Sequence, residues 1–220
     1  MKAKTQQITV TEELNATRDH YRNEVIPAPA LQLMDRETQA LLDSGILDKS
    51  LKVGQVAPDF MLPDQHGSPV GLYDLLRAGS VVLTFYRGGW CPYCNVALRA
   101  LERYQDRFAQ KNAQLVAISP QLPDNSLSTA EKNELSFNVL SDVGNKVASD
   151  YGIVFELSEE LAQLYESFGH GLDSVNGEEG ARSLPAPATF VIGQDRIIRL
   201  AFVEADYTKR LEPEETLTAL

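Results

Sequence analysis

Two continuous apolar runs with a helical segment between them constrain the fold most. The runs "VVLTFY" (81–86) and "AQLVAIS" (113–119) are rich in β-branched residues, which is typical of strands buried on both faces. The intervening segment 91–110 has Tyr93, Ala97 and Leu101 at helical spacing. The order strand, helix, strand predicts a βαβ unit with a parallel strand pair, and therefore an α/β fold.

The rest of the chain supplies further strands and helices around this unit. The segments predicted to form antiparallel hairpins are 57–72, and 188–192 together with 196–203. Additional helices are predicted at 124–136, from Ser158 as N-cap to Phe168, and from about Glu212 onward. We therefore expect a mixed central sheet flanked by helices.

The first 50 residues differ from the rest. Leu31, Met34, Leu41 and Leu42 lie roughly on one helical face, and Gly45 is a suitable stop. This pattern predicts a helical arm over 1–50, either packed on the body or reaching toward another subunit, followed by one domain over 51–220.

Composition excludes several functions. The formal net charge is −11, from 20 basic and 31 acidic residues. Because phosphate binding requires clustered Lys and Arg, neither nucleic acid nor an anionic membrane surface is an expected partner. The start lacks the apolar core of a secretory signal, and no apolar run is long enough to span a bilayer. We therefore expect a soluble, cytoplasmic protein. In the reducing cytoplasm, closely spaced cysteines are catalytic or metal-binding more often than structural.

The only two cysteines, Cys91 and Cys94, fall where the first long strand ends and its helix begins. Open α/β folds place their chemistry at this edge of the sheet. Pro92 suits the first helical turn, so Cys91 is expected at the N-cap. There the free N–H groups and the positive helix end favour the nucleophilic thiolate.

Three neighbours complete the predicted site. Arg87 could add positive charge, and Trp90 could shield one side of the sulfurs. Gly88 and Gly89 are predicted to leave the backbone bare, so that a partner chain can approach.

Two other roles for the cysteines compete with redox chemistry. A zinc site needs about four ligands, and the only histidines are the widely separated His20, His66 and His170. His66 and His170 fit turn or surface positions better. Two inert core cysteines are the other alternative. A Cys-x-x-Cys pair at a helix start within a βαβ unit favours a redox pair and no metal.

Several sequence blocks, in order, resemble a known family. They are "GQVAPDFMLPDQHG" (54–67), "VVLTFYRGGWCPYC" (81–94), "SFNVLSD" (136–142), "VASDYGI" (147–153) and "PATFVI" (187–192). Together, over about residues 54–205, they resemble the peroxiredoxin-like family, the alkyl hydroperoxide reductase/thiol-specific antioxidant group of the thioredoxin fold. The resemblance implies reduction of hydroperoxides by a cysteine thiolate, disulfide formation and re-reduction by a thioredoxin- or glutaredoxin-like donor, without a cofactor.

The chain departs from the peroxiredoxin pattern at the site itself. Alignment on "FY" puts Arg87 at the family's Pro, Cys91 at its Thr and Cys94 at its peroxidatic cysteine. The family's distant Arg falls on Pro187, which resembles the cis-proline that faces the Cys-x-x-Cys of thioredoxins. A cis Ala186–Pro187 bond beside the cysteines is therefore expected. Arg87 or Arg182 could replace the missing Arg.

Two enzyme classes follow from this hybrid pattern. The first is a thiol peroxidase. The alternative, favoured by "CPYC" and Pro187, is a thiol–disulfide oxidoreductase acting on protein or small-molecule disulfides. A non-enzymatic binding protein is a third reading, against which the intact cysteine pair argues. The apolar face of the helix 158–168 could serve a homodimer, and the Gly-rich segment 169–187 is predicted to be a loop on the rim of the site.

The order of attack is open at this stage. Spacing predicts a reversible Cys91–Cys94 disulfide within one chain. Placement at the cap predicts that Cys91 is the more exposed sulfur and attacks, with Cys94 buried and resolving. The alignment with peroxiredoxins predicts the reverse.

Overall fold

A five-stranded mixed sheet forms the centre of the computed structural model, which describes residues 8–220. In chain order the strands of the protein are β1 Met61–Pro63, β2 Pro69–Gly71, β3 Ser80–Phe85, β4 Ala113–Ser119, β5 Asn138–Ser141, β6 Val154–Glu156, β7 Ser183–Pro185, β8 Ala188–Ile192 and β9 Ile198–Val203. The central sheet has the order β5-β4-β3-β8-β9, while β1 pairs with β2 and β6 pairs with β7 in two small antiparallel sheets.

Helices lie before, between and after these strands. They are α1 Val10–His20, α2 Ala28–Asp43, α3 Ile46–Lys49, α4 Leu72–Ala78, α5 Pro92–Glu102, α6 Gln105–Gln110, α7 Pro123–Lys132, α8 Lys146–Asp150, α9 Glu159–Ser167, α10 Leu172–Asn176 and α11 Pro213–Thr218. A π-helical turn, Tyr21–Val25, joins α1 to α2, and a 3₁₀ turn, Glu178–Gly180, follows α10. None of the helices in this described part of the chain combines the length and hydropathy needed to cross a membrane.

The predicted fold class is confirmed by the strand pairing. β3 runs parallel to β4, with α5 and α6 between them in sequence, and antiparallel to β8. β8 and β9 form the predicted antiparallel hairpin. Placing β3 at the centre of the sheet buries it on both faces, as its continuous apolar sequence requires.

The segment between β3 and β4 is two helices and not one. The helical path ends at Arg103, whose N–H bonds back to the Arg99 and Leu101 carbonyls, and a second helix begins after Tyr104. The apolar stripe nevertheless continues across the break, since Leu101 and Phe108 are both buried in the same core cluster.

The N-terminal arm packs against the body. A capping box between Thr9 and Glu12 starts α1, which lies against α5, and α2 lies against α9. Arg103 of the body binds Glu13 of α1 at 2.5 Å. Of the two arrangements expected from the sequence, the structure shows the first, in which the arm packs on the body of its own chain. The division of domains at residue 50 stays a prediction.

The segment 169–187 differs from the predicted loop. It contains α10, the 3₁₀ turn and β7, and β7 pairs with β6. Leu172 fills a small core cluster beside α9, and Leu184 is fully buried there. Local periodicity is absent because each element is only three to five residues long.

The apolar face of α9 is occupied within the chain. Ser158 caps α9 as predicted, accepting a hydrogen bond from the Leu161 N–H at 3.2 Å. Leu161 and Tyr165 are buried together with Met34 of α2. The arm therefore covers part of this face, whereas Phe168 at its end is 37% exposed, and the homodimer contact stays a prediction.

The predicted cis bond before Pro187 is wrong, because the described residues contain only trans peptide bonds. β7 continues almost directly into β8 through Ala186 and Pro187, without a reversal. The Ala186 N–H bonds to the Ile153 carbonyl at 2.8 Å, and the Pro187 carbonyl accepts from the Glu204 N–H at 3.0 Å.

Three aromatic rings join the sheet to the helices on one face. Phe190 lies 5.0 Å from Tyr151 and 6.1 Å from Phe85, measured between ring centroids, and its side chain is fully buried. Because a large buried side chain leaves a cavity when truncated, Phe190→Ala should lower the free energy of unfolding by about 3–5 kcal/mol. Urea denaturation followed by circular dichroism measures this loss.

Phe168 provides a matched control for this prediction. It is an aromatic residue of the same type with 37% of its surface exposed, so Phe168→Ala should cost less than half as much. Equal losses in the two variants would contradict the assignment of Phe190 to the core that holds the sheet together.

Candidate active site

The two cysteines lie at the junction of β3 and α5. β3 ends at Phe85, and α5 begins at Pro92 with Cys91 as its N-cap residue. This is the predicted placement, and Cys94 follows within the first turn. The loop between them carries the chain from the carboxyl end of β3, a central strand, to the helix on the face of the sheet.

Hydrogen bonds hold the connecting loop on both sides. The Gly89 N–H donates to Gln121 Oε1 at 2.7 Å, and the Gly89 carbonyl accepts from Asn95 Nδ2 at 2.9 Å. Asn95 is bound in turn by Asn133 Nδ2 at 2.9 Å, and Thr129 donates to Gln121 at 3.2 Å. Because these buried side chains belong to α5, to α7 and to the residues beside α7, the two helices together fix the position of the cysteines.

The glycines of the loop serve internal packing, contrary to the predicted access for a partner chain. Gly88 has φ of 149°, and a Cβ there would lie 2.3 Å from Trp90 Nε1. A Cβ on Gly89 would lie 2.3 Å from the Thr129 hydroxyl. The missing side chains are therefore replaced by Trp90 and Thr129 of the same molecule.

Both cysteines are reduced and almost completely buried. Cys91 is 1% exposed and Cys94 is 0% exposed. The expectation that Cys91 is markedly more exposed than Cys94 is wrong, because the arm, Trp90 and Tyr93 cover the helix start. Exposure therefore cannot distinguish the attacking sulfur from the resolving one.

Arg210 distinguishes the two sulfurs by charge. Its Nη2 atom donates a hydrogen bond to Cys94 Sγ at 2.9 Å. Its Nη1 atom is held by the main-chain carbonyls of Tyr207 and Lys209, at 2.9 and 2.6 Å. The loop after β9 thus points one guanidinium group at one sulfur.

The pKa values of the pair move in opposite directions. Burial raises the pKa of the Cys91 thiol well above its ordinary value, and the adjacent Cys94 sulfur raises it further. Burial also opposes ionisation of Cys94, but a hydrogen bond from Cys91 and the charges of Arg210 and Arg87 outweigh it and lower the pKa of Cys94 to about 5. The direct contact with Arg210 supports Cys94 as the thiolate of the pair.

Arg87 is a second buried cation beside the cysteines. Its guanidinium lies over three aromatic rings, at 4.9 Å from Trp90, 5.3 Å from Tyr165 and 4.8 Å from Tyr207. It also donates a hydrogen bond to the Tyr165 hydroxyl. Its Nε–H has no partner within the described residues. The rings replace water around a charge that acts on both sulfurs.

Two cavities meet at this cation. The cysteine cavity, of about 260 Å³, is lined by Cys91, Trp90, Tyr93 and residues of the arm. The second cavity, of about 380 Å³, lies between α2 and β6 and includes Pro187 in its wall. Arg87, Tyr165 and Tyr207 border both cavities.

The structure therefore brings together four of the residues expected at the site. Cys91, Cys94, Arg87 and Trp90 lie in one cluster, whereas Pro187 lines the second cavity and not the one that contains Cys91. Arg182, a candidate for the missing Arg, lines a separate polar cavity with Glu159.

Other residues of the site were not expected from the sequence. His66 does lie in an exposed turn, but His170 stacks on Trp90 with ring centroids 5.5 Å apart and lines the cysteine cavity. Arg210 and Tyr207 come from a loop with no sequence signal, since only the return of the chain after β9 brings them to α5. The sequence indicates Tyr165 only as one residue of the apolar face of the helix 158–168.

No group of three or more His, Cys, Asp or Glu side chains within residues 8–220 is arranged to hold a metal ion.

A buried cysteine pair at the first turn of a helix, in a mixed sheet of this topology, defines a thiol-based oxidoreductase of the thioredoxin fold. The AhpC/TSA family matches residues 53–201 of the chain, and the chain belongs to that family. It is a peroxiredoxin-like enzyme, as the sequence motifs predict.

Individual relatives agree with this assignment. The chain is 29% identical over 171 residues to chloroplastic peroxiredoxin Q of Arabidopsis thaliana, a match that covers 78% of this chain and 66% of the relative. It is 34% identical over 108 residues to peroxiredoxin Bcp of Escherichia coli, covering 49% of this chain and 69% of the relative.

A solved structure agrees as well. The crystal structure of peroxidoxin BcpB from Mycobacterium tuberculosis matches with a TM-score of 0.60 and 26% identity, over 77% of this chain and 96% of that chain. The predicted resemblance is thereby confirmed.

The contact between Arg210 and Cys94 leads to a test by titration. Arg210→Met removes the guanidinium while keeping an unbranched side chain, so the pKa of Cys94 should rise. Because a hydrogen bond to a charged group contributes about 1.5–3 kcal/mol, the midpoint should move up by about one to two pH units. The ultraviolet absorbance of the thiolate in the Cys91→Ser background measures it.

Lys209→Met is the matched control, because Lys209 is the neighbouring cation and binds Asp206 at 3.2 Å on the surface. It should leave the midpoint unchanged. An equal rise in both variants would mean that general charge, and not the Arg210 contact, sets the pKa.

Proposed function

We propose that the protein is a thiol peroxidase that reduces hydroperoxides with Cys94 as the attacking thiolate. The observation that carries this proposal is the hydrogen bond from Arg210 to Cys94 Sγ, 2.9 Å long, in a site closed to bulk water. A low cysteine pKa supplies the thiolate at neutral pH, and a buried cation stabilises negative charge on the oxygen that leaves.

The reaction begins with attack of the Cys94 thiolate on the terminal peroxide oxygen. The new S–O bond forms as the O–O bond breaks, and the electron pair of the O–O bond goes to the departing oxygen. That oxygen takes the peroxide proton and leaves as an alcohol, or as water when hydrogen peroxide is the substrate. Cys94 is thereby oxidised to the sulfenate and the peroxide is reduced.

Cys91 acts next in this scheme. As a thiol it donates a hydrogen bond to the Cys94 sulfur in the resting site. After oxidation the Cys91 thiol gives its proton to the sulfenate oxygen and its sulfur attacks Cys94. The S–O bond breaks, hydroxide leaves, and an intramolecular disulfide forms. The high pKa that burial imposes on Cys91 keeps it protonated, and therefore unreactive, until Cys94 has been oxidised.

A dithiol donor of the thioredoxin or glutaredoxin type would then reduce the disulfide. Because both sulfurs are buried in the reduced protein, this step requires the helix start to open locally once the disulfide has formed. Cys91 borders the cysteine cavity, whereas Cys94 does not, so Cys91 is the sulfur that the donor attacks. Cys94 is then released as the low-pKa leaving group, which favours exchange in this direction. We propose the cytoplasm as the compartment, since it maintains such donors in reduced form. A homodimer is also part of the proposal, and its contact would include the exposed Phe168 at the end of α9.

The alternative, a thiol–disulfide oxidoreductase, is less well supported. A substrate disulfide on another protein has to touch a sulfur, but Cys91 is 1% exposed and lies beneath the arm. A small hydroperoxide needs only a narrow opening to reach a buried sulfur of the reduced protein, whereas a polypeptide needs an exposed one. Burial therefore favours the peroxidase.

Trapping of the sulfenate tests which sulfur attacks. In Cys91→Ser, peroxide should produce a sulfenic acid on Cys94 that reacts with a dimedone probe. In Cys94→Ser, Cys91 has no Arg210 hydrogen bond and a raised pKa, so labelling should be at least tenfold slower. Mass spectrometry of the labelled peptides measures both.

The opposite labelling pattern would reverse the roles of the two cysteines. The second outcome is that neither variant is labelled while the native protein reduces the disulfide bond of a test substrate. The protein is then a thiol–disulfide oxidoreductase. The Cys91→Ser/Cys94→Ser double variant is the background control.

The disulfide itself is a separate prediction. One equivalent of peroxide should convert the native protein to a form two hydrogens lighter that stays monomeric on non-reducing gels. Cys91 and Cys94 are the only cysteines, so peptide mapping identifies the bond directly. Two results would contradict the role of Cys91 as the resolving cysteine. One is the formation of intermolecular disulfides alone, and the other is a stable sulfenic acid on the native chain.

A further inference from the structure

The loop that carries Arg210 is joined to the N-terminal arm by the carboxylate of Glu212. Glu212 Oε2 accepts a hydrogen bond from the Val10 N–H at 3.1 Å, and Glu212 Oε1 accepts one from the Thr11 N–H at 2.8 Å. The Thr11 hydroxyl also donates to Oε1, at 2.7 Å. We call these three hydrogen bonds the arm clamp, because they connect the loop after β9 to the first turn of α1.

The first turn of α1 requires acceptors of this kind. The first N–H groups of a helix have no partner within it, and the positive end of the helix attracts a carboxylate. In α1 the Thr9 hydroxyl accepts from the Glu12 N–H, and Glu212 serves the two residues between them. Hydrogen bonds to a charged acceptor are the stronger kind. The clamp therefore fixes the arm and the loop to each other.

Arg210 moves with the loop that the clamp holds. Its Nη1 atom donates to two main-chain carbonyls of this loop, while its Nη2 atom donates to Cys94 Sγ. Glu212 follows only two residues later. Val10 and Arg210 also line the same small cavity beside α5, so the start of α1 lies next to the cation. The position of the loop thus decides whether the guanidinium reaches the sulfur.

The arm clamp lies outside the part of the chain that the family model matches. That match covers residues 53–201. Helix α1 precedes the matched segment, whereas Arg210 and Glu212 follow it. The clamp is therefore a feature that this chain adds to the matched domain.

We propose that Glu212 is a positioning residue of the active site, which binds the first turn of α1 and thereby holds the loop after β9 where Arg210 reaches Cys94. The proposal rests on the proposed role of Cys94 as the attacking thiolate, and it adds the contact that keeps the cation in place. The arm then does more than cover the helix start. It fixes the group that acts on the attacking sulfur.

The other ionisable groups around Cys94 keep their charge in the range where it titrates. Besides Arg210, the groups that act on Cys94 are Cys91, Arg87, Tyr86 and Tyr165. Burial raises the pKa of both phenols, that of Tyr86 to about 12, so both stay neutral. The guanidinium of Arg87 stays charged. In the Cys91→Ser background, which lacks the second thiol, the titration of Cys94 therefore reports on the position of Arg210.

Glu212→Gln tests the arm clamp by a shift whose direction is diagnostic. The amide keeps the shape of the side chain but removes the charged acceptor, so the loop should move. The pKa of Cys94 should then rise by about 0.5–1 pH unit, less than in Arg210→Met. Loss of a negative charge by itself would favour the thiolate and lower the pKa, so a rise requires displacement of Arg210. The ultraviolet absorbance of the thiolate in the Cys91→Ser background measures it.

Glu214→Gln is the matched control. Glu214 lies two residues further on, in α11, and its carboxylate binds Arg107 of α6 at 2.8 Å on the surface. The same loss of charge there should leave the midpoint unchanged. A purely structural role of Glu212 would lower the free energy of unfolding but would also leave the midpoint in place, which would overturn the proposal.

Thr11→Val tests the clamp from the side of the arm. It removes one hydrogen bond to Glu212 without changing any charge, and Thr11 is exposed, so the variant should fold. The midpoint should rise by a smaller amount than in Glu212→Gln. The two substitutions combined should raise it no further than Glu212→Gln alone, because both break the same contact. Fully additive shifts would contradict a shared clamp.

The titration is made without peroxide, so it separates this proposal from the proposed function. A rise in Arg210→Met with no rise in Glu212→Gln would overturn the clamp alone and leave Cys94 as the attacking thiolate. Equal rises in Glu212→Gln and Glu214→Gln would also overturn it, because the general anchoring of α11 would then be responsible. An unchanged midpoint in Arg210→Met would remove the observation that carries the proposed function, and the clamp would fall with it.

Discussion

One buried and one half-buried guanidinium group beside two buried sulfurs are the interaction on which the rest of the site depends. Arg210 donates directly to Cys94, and Arg87 lies among three aromatic rings within the field of both cysteines. A buried cation is costly unless negative charge or aromatic faces compensate for it. The Cys94 thiolate supplies that charge, so ionisation of the sulfur and burial of Arg87 stabilise each other.

This arrangement explains why so much of the chain converges on one helix start. The loop after β9 provides Arg210, α9 provides Tyr165, and the arm closes the surface above Cys91. The buried amides around Gly89 hold the loop that carries the sulfurs. The same enclosure that excludes water from the thiolate also creates the largely apolar cavity beside Cys91.

Much of the fold could be predicted because its signals are local. The continuous apolar runs at 81–86 and 113–119, and the helical stripe between them, indicate a parallel βαβ unit without any knowledge of the partners. The position of Cys91 at the helix cap follows from Pro92 by the same local reasoning. The short elements in 169–187 could not be found in this way, because three to five residues carry too little periodicity and are stabilised mainly by tertiary packing.

The sequence by itself therefore determined the fold class, the family and the two cysteines at a helix start, since each depends on residue types at short spacing. Tertiary structure decided the trans bond at Pro187, the burial of both sulfurs and the identity of the cation that selects Cys94. Arg210 lies 116 residues from Cys94 along the chain. No local pattern encodes such a contact, because only the packing of the whole sheet brings a distant loop to one sulfur and not to the other.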